Sequence, residues 1–194
     1  MRLRNGNSNQ VLRRLACHLP KSALKPAVDG IILSRVRYGL AVYGNLRKTE
    51  EDRKSQAMTK IQKALNKVLR FMIGAKVEDK VPTRKLLERS GLLSINQLVA
   101  ECKLLETARA MRTNIPSLSE ELKPLAETRQ NLTIITRQME SGHLRMPDPR
   151  LLGKNNFLID AVKLWNLLPL ECRTNSSRPC FKRGVITLCK TLPL

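Results

Sequence analysis

Residues 60–74 read KIQKALNKVLRFMIG, and their spacing predicts an amphipathic helix with two opposed faces. Apolar residues recur every three or four positions, which is the period of one helical face; they are Met58, Ile61, Leu65, Val68 and Met72. The four basic residues fall on the opposite side, where this stretch holds no acid. We call them the basic stripe: Lys60, Lys63, Lys67 and Arg70. Gly74 ends the predicted helix.

The composition of the whole chain favours helices. It has 194 residues, and a hydrophobic content of 42% is enough to build a packed core. Aromatic residues make up only 3%, while Leu, Ala, Lys, Arg and Glu are common. These residue types favour helix over strand, so we expect an all-α fold built around a helical bundle.

The net charge points to a polyanionic partner. The chain carries +20 at pH 7, and the first half holds most of it: residues 1–97 contain 21 basic and 7 acidic residues. So many basic side chains repel one another, and binding to the phosphates of a nucleic acid would reduce this repulsion. Three further basic residues lie near the stripe in sequence and are candidates for the same surface: Arg35, Arg37 and Lys76. The alternative interpretation of the stripe is an ordinary solvated helix face.

Helix signals divide the chain into four segments. Residues 1–75 form a predicted basic helical bundle, with one long helix from about 23 to 44 that follows Ser22 and ends at Gly44. Residues 76–113 form a helix–turn–helix extension, and residues 114–156 are rich in Pro and Gly and predict a flexible linker with one or two short helices. Residues 157–194 form a C-terminal helical segment, in which Pro169 separates two helices.

The sequence lacks the usual signatures of catalysis. It has no glycine-rich phosphate loop, no metalloprotease helix and no serine-nucleophile turn. The five cysteines and two histidines are scattered without metal-ligand spacing, so we expect no metal, no cofactor and no catalytic residue. The most apolar run, AVDGIILSRVRYGLAVYG, is interrupted by charged residues, so we expect no membrane partner.

Four stretches resemble, in the same order, the downstream part of the reverse transcriptase of non-LTR (LINE-type, jockey-like) retrotransposons. They are LACHLPKSALKPAVDGIILSRVRYGLAVYG, IQKALNKVLRFMIGA, LLERSGLLSINQLVAECKLL and FLIDAVKLWNLLPLECR, the last followed by SRPCFKRGVITL. The resemblance covers about residues 10–190, and KLWNLLP is its most specific element. Its signature residues are Tyr38, Gly39, Gly44, Gly74, Phe157, Leu164, Trp165, Asn166, Pro169 and Phe181.

The resemblance implies a thumb and C-terminal region separated from the polymerase palm, which would be a protein partner of this chain if it is encoded separately. In that family the thumb grips the template–primer duplex, an RNA–DNA or DNA duplex, through its phosphates, which gives the basic stripe a role. The aromatic-x-Asp-Asp motif that would hold the catalytic metals is absent, so we expect no polymerase activity from this chain alone. Tyr43 departs from the family pattern, since the family often has Trp at the position before Gly44. The residues Leu164, Leu168, Trp165 and Phe157 are expected to form core rather than a binding site.

Two other interpretations stay open. One is a helical interaction protein adopted by a host, whose basic face binds a protein or an anionic surface. The other is an organellar RNA-associated protein, because residues 1–28 contain six basic residues before the first acid, as import presequences do. We expect a nuclear or cytoplasmic location for a reverse transcriptase fragment or a host interaction protein. An organellar RNA-associated protein would be mitochondrial.

Overall fold

The computed structural model describes residues 20–44, 56–76, 78–113, 122, 142–148, 157–174 and 177–192. Within these ranges the chain is helical and contains no β-strand, which confirms the predicted all-α class. The sequence also predicts a first helix near residues 9–19, before Pro20, and a helix start at Thr49; both predictions lie outside the described residues.

The helices follow one another along the chain with short turns between most of them. They are α1 (Lys21–Val28), α2 (Ser34–Arg37), α3 (Leu40–Tyr43), α4 (Gln56–Ile73), α5 (Thr83–Ser90), α6 (Ile95–Thr113), α7 (Phe157–Leu167), α8 (Leu170–Thr174) and α9 (Arg178–Thr191). A π-helical turn, Asp29–Leu33, joins α1 to α2.

The predicted long helix over 23–44 is wrong in two respects. It begins at Lys21 after Pro20, whose backbone is extended, so Ser22 lies inside the helix and not at its cap. It is also broken at Tyr38, which is extended, and at Gly39, whose φ is 78°. A left-handed residue cannot continue the hydrogen-bond ladder of a right-handed helix, so the chain restarts as α3.

Helix α4 ends as its sequence predicts. Gly74 has a φ of 70°, the Ala75 N–H donates to the Arg70 carbonyl at 2.9 Å, and the Gly74 N–H donates to the Phe71 carbonyl at 3.3 Å. This pair of bonds is the Schellman arrangement, which satisfies the carbonyls at the end of a helix. The helix therefore stops at the position where glycine permits the left-handed turn.

The chain divides into two compact units. The first contains residues 1–39 and 47–95, and the second contains residues 40–46 and 96–193. In the first unit, α4 packs against α5 and α1, and the Lys25 ammonium donates to the Gly91 carbonyl at 3.1 Å. Its buried apolar side chains are Leu24, Val28, Leu33, Leu65, Val68, Leu69, Leu86, Leu87, Leu93 and Ile95.

The second unit is built on α6, α7 and α9. Gln97 near the start of α6 donates to the Leu192 carbonyl after α9, at 3.2 Å. Trp165 of α7 and Phe181 of α9 pack with ring centroids 5.8 Å apart. Its fully buried side chains include Leu98, Val99, Leu104, Val162, Leu168, Val185 and Cys189.

The division of the chain into four segments stays a prediction. Within the predicted flexible linker, residues 114–156, some residues are packed against the rest of the protein. Residues 142–148, within the predicted linker, are held to α7: the Trp165 indole N–H donates to the Gly142 carbonyl at 3.1 Å. Leu122, also in that segment, is buried. These parts of 114–156 are therefore packed against the protein.

Candidate nucleic-acid interface

Helix α4 presents the three lysines of the basic stripe to solvent. Lys60, Lys63 and Lys67 are exposed, whereas Leu65 and Val68 on the other side of the helix are buried. The sequence period therefore places both faces correctly. Met58, Ile61 and Met72, the remaining members of the predicted core face, are half-buried.

The sequence pattern did not include Leu69, which is fully buried just beyond the expected core positions on the helix circumference. It follows Val68 directly and lies about 100° further round the helix. The buried face of α4 is therefore wider than the predicted face, which contained about one residue per helical turn. An apolar residue next to a periodic one was the available signal.

A polar network occupies the flank of α4 between its two faces. The Gln62 amide donates to the Asn66 side-chain oxygen at 2.8 Å, and the Asn66 amide donates to the Thr83 hydroxyl at 2.9 Å. The Gln62 carbonyl oxygen also accepts the Ile95 backbone N–H at 2.9 Å. The network fixes the rotation of α4 against α5, and with it the direction in which the lysines point.

Arg70 differs from the three lysines. It is half-buried, and its Nε atom has no hydrogen-bond partner in the described part of the chain. The residue lies at the edge of the stripe, close to the Asn66 side of the helix. Its guanidinium is consequently held nearer the protein surface than the lysine ammonium groups.

The stripe is electrostatically uncompensated within α4. The helix contains four basic and no acidic residues, and no described acidic side chain forms an ion pair with Lys60, Lys63 or Lys67. At a rise of 1.5 Å per residue, the stripe extends along about 15 Å of the helix. Four positive charges on one side of a short helix make a local field that favours an anion.

The other predicted binding residues lie on other elements. Arg35 is exposed on α2, and Lys76 is exposed two residues after Gly74. Arg37 forms an ion pair with Asp29 across the π-helical turn, at 2.7 Å. Part of its charge is neutralised there, so Arg37 contributes less to a cationic surface than the sequence suggests.

The glycines of the family signature have structural roles at helix ends. Gly39 and Gly74 adopt positive φ, and Gly44 is buried against α6. A Cβ at Gly44 would lie 2.6 Å from a Val99 methyl group and would also meet the Leu40 carbonyl. Tyr38 beside Gly39 is 92% exposed and packs in no core.

The most specific part of the signature, KLWNLLP, is a structural motif in the second unit. Leu164 and Trp165 are buried, as predicted, while Phe157 is half-buried. Asn166 pairs with the Leu144 backbone: its amide donates to the carbonyl at 3.0 Å, and its oxygen accepts the N–H at 2.9 Å.

Two other signature residues complete this motif. The Pro169 carbonyl accepts the backbone N–H groups of Cys172 and Arg173, which starts α8. Phe181 is buried against Trp165. Each of these residues has a packing or hydrogen-bonding role that accounts for its presence.

A buried ion pair in the second unit was not anticipated. The Lys103 ammonium on α6 lies 2.6 Å from the Asp160 carboxylate on α7, and their side chains are 1% and 11% exposed. Helical spacing did not identify it, because both residues occupy positions that a polar surface would also use. The available signal was local, because apolar residues flank both Lys103 in α6 and Asp160 in α7.

The described cysteines are reduced thiols in contrasting environments. Cys102 and Cys189 are buried, whereas Cys172 and Cys180 are half-buried. Burial raises the pKa of the Cys189 thiol to about 12, with Glu101 and Cys102 contributing. Hydrogen bonds from Arg183 and Ser177 lower the pKa of Cys180.

Among the described residues, no helix has both the length and the apolar character needed to cross a membrane. In the same ranges, no group of three or more His, Cys, Asp or Glu residues is placed to hold a metal ion.

Comparison with known proteins adds no assignment. No protein-family model matches the chain, and no curated protein or solved structure matches it.

Proposed function

We propose that this chain is the thumb and C-terminal region of a non-LTR retrotransposon reverse transcriptase, and that it binds a nucleic-acid duplex through the basic stripe of α4. It carries no polymerase motif, so its own role is binding and not synthesis. The observation that carries the proposal is the exposure of Lys60, Lys63 and Lys67 on one acid-free face of a helix whose opposite face is packed. The family assignment rests on the ordered sequence landmarks, above all KLWNLLP.

The dimensions of the stripe suit a phosphate backbone. Successive phosphates of one strand rise by about 3.4 Å along a duplex, so a stripe of about 15 Å runs alongside about four of them. Lysine ammonium groups on flexible stems bind phosphates as point charges, without reading base edges. We therefore expect binding that depends strongly on salt and weakly on sequence.

Binding through the stripe would be fixed in direction by the packing of α4. The polar network of Gln62, Asn66 and Thr83 holds one flank of the helix, and Leu65, Val68 and Leu69 hold the other side. A preorganised helix loses little entropy when its lysines engage a ligand, since only side-chain rotation is restricted.

The test is a salt titration of binding to a short RNA–DNA primer–template duplex. The wild-type chain is compared with a variant in which all four stripe residues are changed to Gln. Loss of four phosphate contacts should reduce the slope of log K against log salt concentration by about 3–4. Circular dichroism should show that the helical content of the variant is unchanged.

A matched control removes the same charge from the second unit. Arg145, Arg178, Lys182 and Lys190 are exposed, and their replacement by Gln also lowers the net charge from +20 to +16. We expect this variant to keep most of the wild-type slope. Equal slopes for the two charge-reduced variants would mean that binding follows net charge alone, and an unchanged slope for the stripe variant would favour the interaction-protein interpretation.

A further inference from the structure

A cavity of about 320 Å³ lies in the second unit, and two arginines line it. Helix α6 contributes Ala108 and Arg112, and α8 contributes Arg173. The rings of Trp165 and Phe181 form part of its wall. The volume is at the lower end of the range of about 300–1,000 Å³ that is usual for small-molecule sites, and the mixture of apolar wall and few charged groups is typical of them.

Arg173 has hydrogen-bonding capacity that the described protein does not use. Its Nε and Nη1 atoms are buried and have no hydrogen-bond partner. Burial lowers the pKa of this guanidinium, because removal from water disfavours its charged form. A buried charged group without a counter-charge costs free energy, so an anion in the cavity, close to the Arg173 guanidinium, would be favourable.

Arg112 directs a second guanidinium to the same cavity. Its Cζ atom lies 5.5 Å from the centroid of the Phe181 ring, which is the geometry of a cation–π contact. No described acidic side chain forms an ion pair with Arg112 or Arg173; the nearby Glu106 pairs with Arg109, at 3.8 Å. Two positive charges therefore line one cavity without a counter-charge from the described residues.

We propose that this cavity binds a small organic anion, a carboxylate or phosphate monoester attached to an aromatic or similarly apolar body. The anionic group contacts the guanidinium groups of Arg112 and Arg173, which suit planar or tetrahedral oxyanions. The apolar body lies against Trp165, Phe181 and the neighbouring Met111. This site is formed entirely by the second unit and does not depend on the duplex-binding proposal.

Trp165 makes the test direct, because it is the one tryptophan of the chain and lines the cavity. Its fluorescence is followed in the full-length protein during titration with phenyl phosphate and, separately, with benzoate. Inorganic phosphate tests the anion alone, and benzyl alcohol tests the apolar body alone. We expect a saturable change with phenyl phosphate or benzoate at concentrations up to about 10 mM, weaker binding of inorganic phosphate, and none of benzyl alcohol.

Three variants assign the binding to the cavity. Arg173→Gln and Arg112→Gln should each weaken it by about tenfold or more, since each removes charge-assisted hydrogen bonds. Ala108→Leu keeps both arginines but fills space at the wall, and should also weaken it. Arg178→Gln, at an exposed position of α9, is the matched control and should bind as the wild type does.

The stripe variant separates this proposal from the proposed function, because it should bind the small anion normally even if it has lost the duplex. The proposal is overturned if neither aromatic anion gives a saturable change. It is also overturned if Arg112→Gln and Ala108→Leu bind normally while the stripe variant does not, since that would be general charge attraction. If Arg173→Gln does not fold, the exposed Arg112→Gln decides between these outcomes.

Discussion

Among single residues, Asn166 has the clearest structural role, because its side chain forms hydrogen bonds that another backbone segment would otherwise form. Its amide makes two hydrogen bonds to the backbone of Leu144, at 2.9 and 3.0 Å. The side chain therefore acts as a neighbouring peptide group would, and satisfies both the N–H and the carbonyl of Leu144. Leu144 is itself buried, so water cannot easily substitute for the amide.

We predict that Asn166→Ala lowers the free energy of unfolding by about 1–3 kcal/mol, because it leaves a buried N–H and carbonyl without partners. Urea denaturation followed by Trp165 fluorescence measures the change. Leu167→Ala is the control, since Leu167 is 59% exposed and adjacent, and should be close to neutral. Equal stability of the wild type and Asn166→Ala would mean that the two hydrogen bonds between Asn166 and Leu144 add nothing to the stability of the protein.

At the element scale, the contact of α6 with α7 includes the buried Lys103–Asp160 pair. The Thr107 hydroxyl donates to the Lys103 carbonyl at 2.8 Å on the same helix, so polar groups cluster at a position that is otherwise apolar. Desolvation of two charges offsets much of their attraction, so such a pair gives little net stability but is costly to break.

We predict that Asp160→Ala lowers the free energy of unfolding by about 3–5 kcal/mol, because Lys103 is then buried without a counter-charge. The double variant Lys103→Met, Asp160→Leu should recover most of this loss, since it removes the buried charges and keeps the volume. Urea denaturation of the wild type, Lys103→Met, Asp160→Leu and the double variant closes a double-mutant cycle, and Asp160→Ala is measured beside it. A double variant as unstable as Asp160→Ala would show that the ion pair itself stabilises the packing of α6 and α7.

The two faces of helix α4 have separate roles, one in packing and one in the proposed binding. The buried face depends on Leu65, Val68 and Leu69, whereas the three lysines of the basic stripe are exposed and make no described ion pair. The stripe substitutions in the binding test should therefore change affinity with little effect on folding. This separation allows binding to be measured without loss of structure.

At the scale of the whole molecule, the net charge of +20 is the dominant property. Like charges on a compact chain repel one another more than on an expanded one, so the charge works against folding. Salt screens this repulsion, with a Debye length of about 10 Å at 0.1 M.

We predict that the chain is more stable at high than at low NaCl concentration, by about 1 kcal/mol, which corresponds to a rise of about 2–4 °C in Tm. Thermal unfolding followed by circular dichroism at 20 mM and at 500 mM NaCl measures it. The stripe variant, with four fewer positive charges, should show a smaller rise. A Tm that falls with salt would mean that specific ion pairs outweigh the general repulsion.

Much of the helical content could be predicted from local chemistry. Helical period and helix-ending residues predicted the ends of α4 and α7, because Gly74 and Pro169 act on the backbone next to them. The same local rules failed at Tyr38 and Gly39, since a glycine inside a helical pattern is compatible with either a continuous or a broken helix.

Residue types and their spacing along a helix are sufficient to specify the all-α class, the two faces of α4 and the excess of positive charge. Which charges are exposed and which are paired depends on how the helices pack. Lys60 and Lys63 point to solvent, Arg37 meets Asp29 and Lys103 meets Asp160, although all four carry the same charge. The physical reason is that a partner 57 positions away, as Asp160 is from Lys103, is brought near by packing and leaves no periodic signal in the sequence.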